Sequence, residues 1–443
     1  MNKINAKLTN KFHTRIMETF TIKGKEIYIG NFKVQELAEK YGIPTYIYNE
    51  QRIRENFRRA FSAFTSHYPD FKFFYAVKAC SNPAIVSILK QEGAGIDAAS
   101  VNEILLAKSL GLGGENVMFS GNFLSDEDIQ GGIESGVIFN LDDISLLQRV
   151  LKYGTPAILS FRVNPGYGKS NVGDFVTNAG SNAKFGIHPD QVTDAYRRAK
   201  AARVKRFGVH MMPGSCITDP EYFAFVTNLL MEIVGKTARE LKIEFEFINI
   251  GGGLGIPYKE NEPPLDIEKT AELVAFTFKE AVKKYGMRPP RLMMEPGRYF
   301  VGDAGIVLGK VHAIKHSYSK IIGTDIGMNV LVRPVFYEAY HKILFNGRVG
   351  DPMEVCGLCG QLCENSDFWV KKRKFPKTVQ EGDLVIVTDA GAYGFGMSYQ
   401  YNGRLRPAEV LVNGSESHLI RPRETFEDMV RNTTVKRKIN SEK

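Results

Sequence analysis

In residues 71–80, FKFFYAVKAC, a run of apolar and aromatic side chains, broken only by Lys72, stops at a second lysine, Lys78. Such a run is what a strand buried on both faces requires. A helix-length segment with apolar residues at three and four spacing follows, AIVSILKQEG (84–93), and then a second short apolar run, GIDAA (95–99). The alternation continues through NVMFS (116–120), VIFN (137–140), PAILSFRV (156–163), RFGVHM (206–211), FEFINI (245–250) and RLMME (291–295). Amphipathic segments such as NEILLAKSLG (102–111), QVTDAYRRAKAA (191–202) and IEKTAELVAFTFKEAVKKYG (267–286) lie between. Eight strands with seven intervening helices is the count of a (β/α)8 TIM-like barrel. An open doubly wound sheet would carry a Gly-rich turn after its first strand, and here Lys78 stands there instead.

After about residue 305 the period changes. GIVLGKVHAIKH (305–316), KIIGTDIG (320–327), MEVCGLC (353–359), DLVIVTDAGAYG (383–394) and AEVLVNG (408–414) read as short strands with Gly-rich turns. The expected fold class is therefore α/β, a barrel plus a C-terminal all-β, Greek-key-like domain. The expected division is a mobile tail over 1–17, strands over 18–45 that join the β domain, the barrel over 46–305, the β domain over 306–430, and a mobile basic tail over 431–443.

The chain has 443 residues, 43% hydrophobic and 24% charged, which excludes disordered and fibrous classes. No apolar run reaches the ~18 residues of a membrane helix, and the polar start MNKINAKLTNKFHTR has no apolar core of a secretory signal. Fifty-eight Lys and Arg against 49 Asp and Glu leave +9. Much of the excess sits in short runs such as 371–374 and 436–438, without a nucleic-acid motif, so surface charge or attraction of small anions is expected rather than nucleic acid. Five cysteines, three of them within 356–363, do not form a disulfide framework, and a reducing cytoplasm is the expected location. Their C-x2-C-x3-C spacing lacks a fourth ligand nearby, so no metal is expected.

Several residues sit where barrel chemistry happens, at the C-terminal ends of strands. Lys78 is either a Schiff-base lysine, its pKa lowered by desolvation, or an ordinary strand-end lysine. Gly251-Gly252-Gly253 after the seventh strand can let backbone N–H groups approach a phosphate, or can simply turn the chain. Ser215, after the sixth strand, can add a hydroxyl. Glu295 and Arg298, in Glu295-Pro296-Gly297-Arg298 after the eighth strand, can hold a ring nitrogen and an anion, or pair with each other. Cys363 beside Glu364 reads as a reactive thiol with an adjacent acid. The Gly- and Tyr-rich stretch 389–402 can place a phenol over a cofactor or form a structural corner.

Taken in order, YAVKAC, GVHMMPGSCI, INIGGGLG, EPGR, RPVFYEAYH, CGQLCENSD and DAGAYGFGMSYQYN resemble the pyridoxal-phosphate-dependent decarboxylases of the alanine-racemase fold, the diaminopimelate decarboxylase branch in particular. The resemblance spans about residues 25–430. It implies pyridoxal 5'-phosphate joined to Lys78, with His210, Ser215, Gly251, Gly252, Gly253, Gly297 and Arg298 around it, Glu295 on the pyridine nitrogen, and Tyr401 touching cofactor and substrate. It implies a substrate held by Arg298, Arg333, Tyr337, Glu364 and Tyr401, and Cys363 or Lys78 as proton donor. It implies a homodimer in which Cys363 and Glu364 cross the interface. The implied reaction is the decarboxylation of meso-diaminopimelate to L-lysine and CO2.

Three positions depart from the family pattern: Met212 where a ring-packing histidine is usual, Gln361 for a proline, and Tyr399 for a serine. They leave open a D-lysine or D-ornithine decarboxylase, or one acting on a carboxylated polyamine precursor. A racemase would need a second acid–base group opposite Lys78, and an inactive regulatory homologue need not keep Lys78, Glu295, Arg298 and Cys363.

Overall fold

A computed structural model describes residues 19–171 and 178–434. The tail expected over 1–17, and residues 435–443 of the basic tail, lie outside the described residues. The eight barrel strands are Phe71–Ala76 (β1), Gly95–Ala98 (β2), Val117–Phe119 (β3), Ile138–Leu141 (β4), Leu159–Val163 (β5), Phe207–Met211 (β6), Phe245–Asn249 (β7) and Arg291–Met294 (β8). Seven fall within the runs expected to be strands, and β4 runs one residue past its expected end, to Leu141. They pair in parallel, each with its neighbour in sequence, and β8 closes on β1 through Leu292–Phe71 and Met294–Phe73. The βα loops end in side chains that satisfy the helix N-terminus: Asn82 accepts from Ala84 N, Ser100 from Glu103 N and Asp266 from Lys269 N.

Helices follow strands β1 to β7, but only the single turn Arg298–Val301 follows β8. The place of an eighth helix is taken by Glu50–His67, which precedes β1. Its Arg59 pairs with Glu268 of helix Ile267–Tyr285, and Tyr68, just past its end, packs edge-on against Phe278 of the same helix.

The second layer is a nine-stranded sheet built from the C-terminal third and one N-terminal strand, Thr45–Asn49. That strand lies between Gly305–His316, antiparallel, and Ala408–Asn413, parallel. The division expected at residue 46 thus falls inside a strand. Thr45–Asn49 is buried along its whole length, so its pattern does not distinguish a barrel strand from a central sheet strand. Thr21–Lys23, Glu26–Ile29 and Phe32–Lys33 form a small sheet of their own. Ile27, Ile29, Val34 and Leu37 of this region share a core with Ile47, Ile306, Leu384, Ile386 and Val410, which fastens it to the β domain. No helix among the described residues is long and apolar enough to cross a membrane.

Candidate active site at the barrel mouth

Lys78 stands in the tight turn Val77–Ala79 that ends β1, and its Nζ donates to Asp97 Oδ2 on β2 at 3.0 Å. Its side chain is exposed at the mouth; partial desolvation opposes its positive charge, but Asp97, Tyr393 and Glu295 outweigh it and raise the pKa. The lowered value expected from desolvation is thereby corrected: two buried carboxylates face this ammonium. Burial and the nearby Glu295 push the Asp97 carboxyl up, while Lys78 opposes them. The other oxygen of Asp97, Oδ1, is buried without a partner.

Glu295 follows β8 and is buried. Its Oε1 accepts from Asn249 Nδ2 at 2.7 Å, and its Oε2 lies 2.8 Å from His210 Nε2. Burial raises its pKa, but His210, Lys78 and Arg162 lower it further, so the carboxylate stays ionised. His210, at the end of β6, is thus tied to Glu295 through one nitrogen, and its Nδ1 is buried with no partner.

The loop after β7 lies between the ends of β6 and β8. A Cβ at Gly251 would sit 2.3 Å from Met211 O, at Gly252 2.3 Å from Glu295 O, and at Gly253 2.8 Å from Gly214 O. Gly251 and Gly253 also need φ of +78° and +94°. Only a backbone free of side chains fits here. Asn249 Oδ1 accepts from Gly251 N at 2.9 Å, and Gly252 N points at Met212 Sδ, 3.0 Å away. Met212 therefore packs on the glycine loop. Ser215 follows Gly214 in a two-residue strand paired with Lys169–Ser170. A Cβ at Gly297 would meet Ala79 Cβ at 2.8 Å, so this glycine lets the turn carrying Arg298 close on the turn carrying Lys78.

Two guanidinium groups share Tyr258. Arg298 Nη1 donates to Tyr258 Oη, and its guanidinium lies 4.8 Å from the Tyr393 ring centre. Arg333, 1% exposed, lies 4.7 Å above the Tyr258 ring. Its Nη1 donates to His341 Nε2 at 2.8 Å, while Nε and Nη2 have no partner. Tyr337 is half-buried, its pKa raised by burial, and with Tyr258 and Cys216 it lines a pocket of about 510 Å³.

Cys363 and Glu364 form a separate, exposed group on the β domain. Cys363 N donates to Asn402 Oδ1 at 2.9 Å, and Asn402 Nδ2 lies 3.0 Å from the thiol sulfur. Tyr401 Oη donates to Glu364 Oε1 at 2.5 Å, and this bond pushes the phenol up to about 12. Among the described residues no hydrogen bond joins this group to Lys78, Glu295 or Arg333. The five cysteines are all free.

The sequence reading did not single out Asp97, Asn249, Tyr258, His341 or Asn402. Asp97 was legible as the one charge in an apolar strand, GIDAA, and His341 as the last residue of RPVFYEAYH.

Residues 54–302 match the family described as "Pyridoxal-dependent decarboxylase, pyridoxal binding domain". A diaminopimelate decarboxylase of Methanothermobacter thermautotrophicus is 42% identical over 92% of this chain and 95% of its own length. One of Thermoplasma acidophilum is 36% identical over 91% of this chain and 96% of its own. The crystal structure of the Methanocaldococcus jannaschii diaminopimelate decarboxylase in complex with L-lysine superposes with a TM-score of 0.87 at 34% identity, covering 94% of this chain and 98% of that one. With the barrel, the lysine at its mouth and the glycine loop beside it, these likenesses show that the chain belongs to the pyridoxal-dependent decarboxylases, in the diaminopimelate decarboxylase family.

Proposed function

We propose that this protein decarboxylates meso-diaminopimelate to L-lysine and CO2 with pyridoxal 5'-phosphate. The observation that carries the substrate is Arg333. Burying a guanidinium with two nitrogens unpaired costs free energy, and a carboxylate is the ligand that satisfies such a pair. The carboxylate that leaves as CO2 must be free to go, so a fixed guanidinium favours a substrate with a second one. D-Lysine and D-ornithine have none.

The residues present suit the cofactor. The side-chain-free loop Gly251–Gly253 and the adjacent Ser215 can receive a phosphate. Glu295, buried and ionised, can hold a protonated ring nitrogen. Lys78 offers the amine for the covalent link, His210 braces Glu295, and Met212 supplies an untitratable thioether beside the loop. When bound, the cofactor serves as an electron sink for the bond that breaks.

The chain's own groups do the rest. Arg333, with Tyr337 and Arg298, anchors the distal end of the substrate, so that binding energy far from the reacting carbon orients the bond to be cleaved. A proton is then returned to the α-carbon by Cys363 or Lys78. The thiol is exposed and lies in a group separate from Lys78, which favours a homodimer in which Cys363 and Glu364 serve the partner's barrel, with Glu364 near the distal ammonium. Five free thiols suit a reducing cytoplasm.

The test is a product balance. The holoenzyme incubated with meso-diaminopimelate should yield L-lysine and CO2 in equal amounts. Consumption without lysine, or no consumption, contradicts the assignment.

A further inference from the structure

We propose that His341 is a positioning residue that sets the orientation of Arg333, holding one edge of its guanidinium so that the opposite edge is left open for the substrate carboxylate. The inference rests on the reading of Arg333 as a carboxylate site.

Arg333 can only donate, so the bond between its Nη1 and His341 Nε2, 2.8 Å long, requires Nε2 to be the acceptor. The proton of the neutral ring is then on Nδ1, which donates to Thr388 O at 2.8 Å. One tautomer satisfies both neighbours. Thr388 follows strand Leu384–Val387, so the imidazole is fixed to main chain of the large sheet. Its own backbone oxygen accepts from Arg373 Nη1 at 2.7 Å, and its ring meets Tyr258 edge-on at 5.3 Å. Tyr258 in turn carries the flat face of Arg333. The guanidinium is held by its face and by one edge.

What remains is informative. The N–H of Nε and one N–H of Nη2 point the same way and form the side-on fork that grips a carboxylate with two parallel bonds. Nε and Nη2 are the two nitrogens without partners. His341 takes Nη1 and so spares that fork. A protonated imidazole could not do this, since it would set an N–H against an N–H. Burial, and then the cations Arg333, Arg298 and Arg373, hold its pKa well below the ordinary histidine value.

The test uses holoenzyme variants whose visible cofactor absorbance and melting temperature match the wild type. His341→Ala should raise KM for meso-diaminopimelate about 10- to 100-fold, the effect of losing a hydrogen bond to a buried charge, with kcat little changed. His341→Gln, whose amide oxygen can accept from Nη1, should recover most of that loss. Unchanged KM in His341→Ala, or no recovery in His341→Gln, overturns the proposal. Arg333→Ala separates the two readings. If it impairs KM while His341→Ala does not, only the positioning role fails. If it leaves KM unchanged, the carboxylate reading fails and the proposal with it. Should His341→Ala not fold, the ¹⁵N resonances of the wild-type imidazole decide: a neutral ring protonated on Nδ1 at pH 6 supports the proposal, and a cationic or Nε2-protonated ring overturns it.

Discussion

Lys78 and Asp97, on neighbouring barrel strands, form an ion pair at 3.0 Å in which one carboxylate oxygen is engaged and the other is buried without a partner. The pair holds the amine in place while it is charged. Because the folded pKa of Lys78 is raised, the stability it contributes is present below the unfolded lysine value of ~10.4 and is lost only as pH climbs through the higher folded value.

Two substitutions follow from the pair. Lys78→Ala should abolish the visible absorbance of the covalently held cofactor and all turnover; a variant that stays coloured contradicts the role of Lys78. Asp97→Asn removes the anion that favours the ammonium. The pH at which apoprotein captures the cofactor should then fall by about one unit or more, and an unchanged profile would count against the pairing.

A shared site predicts complementation. Cys363→Ala should bind cofactor but turn over ~10²- to 10⁴-fold more slowly, the usual contribution of a positioned proton donor. Mixed with inactive Lys78→Ala and allowed to exchange subunits, it should recover about a quarter of wild-type activity, since half the dimers are mixed and each holds one intact site. No recovery despite exchange would rule out donation of Cys363 across the interface.

Gly252→Ala places a Cβ where Glu295 O already is, 2.3 Å away. The loop must shift, at a cost of about 1–3 kcal/mol, and cofactor affinity should drop at least tenfold. Gly93→Ala, with a left-handed φ but open space around it, serves as the control that carries backbone strain alone. Equal cofactor affinity in both would show that the close approach at Gly252 has no role.

Asp389 follows Thr388, and burial pushes its carboxyl up to about 7, with the Thr388 hydroxyl opposing the shift. An acid with a raised folded pKa keeps its proton in the native state while the unfolded chain loses it. Stability therefore falls as pH rises from ~4 through ~7. Asp389→Asn, at a φ of +56° that asparagine tolerates, should raise the melting temperature more at pH 8 than at pH 5. About 1–2 kcal/mol is expected once solvent screening is allowed for. Equal effects at both pH values would mean that Asp389 titrates normally.

The barrel was legible because each strand is a short apolar run bounded by a helix with its own period, and because Lys78 stood where a dinucleotide fold needs glycine. Helix Glu50–His67 and strand Thr45–Asn49 were not, since both take their places from partners more than 200 residues away, Glu268 in one case and Gly305–His316 in the other. In the site, glycines and charges at strand ends were visible. Asp97 stood out as the one charge of its strand but its pairing with Lys78 did not, and the pairing of His341 with Arg333 depends on a fold-back over eight residues that no periodicity reports.

Arg333 makes the site selective for an amino acid with a second carboxylate. CO2 release by the holoenzyme, compared across meso-diaminopimelate, D-lysine, D-ornithine and L-ornithine, tests it most directly. The arrangement around Arg333 predicts a kcat/KM for meso-diaminopimelate at least ~10²-fold above the others, the scale of a missing partner for a buried charged donor. Release from D-lysine or D-ornithine at an equal or higher kcat/KM would contradict it.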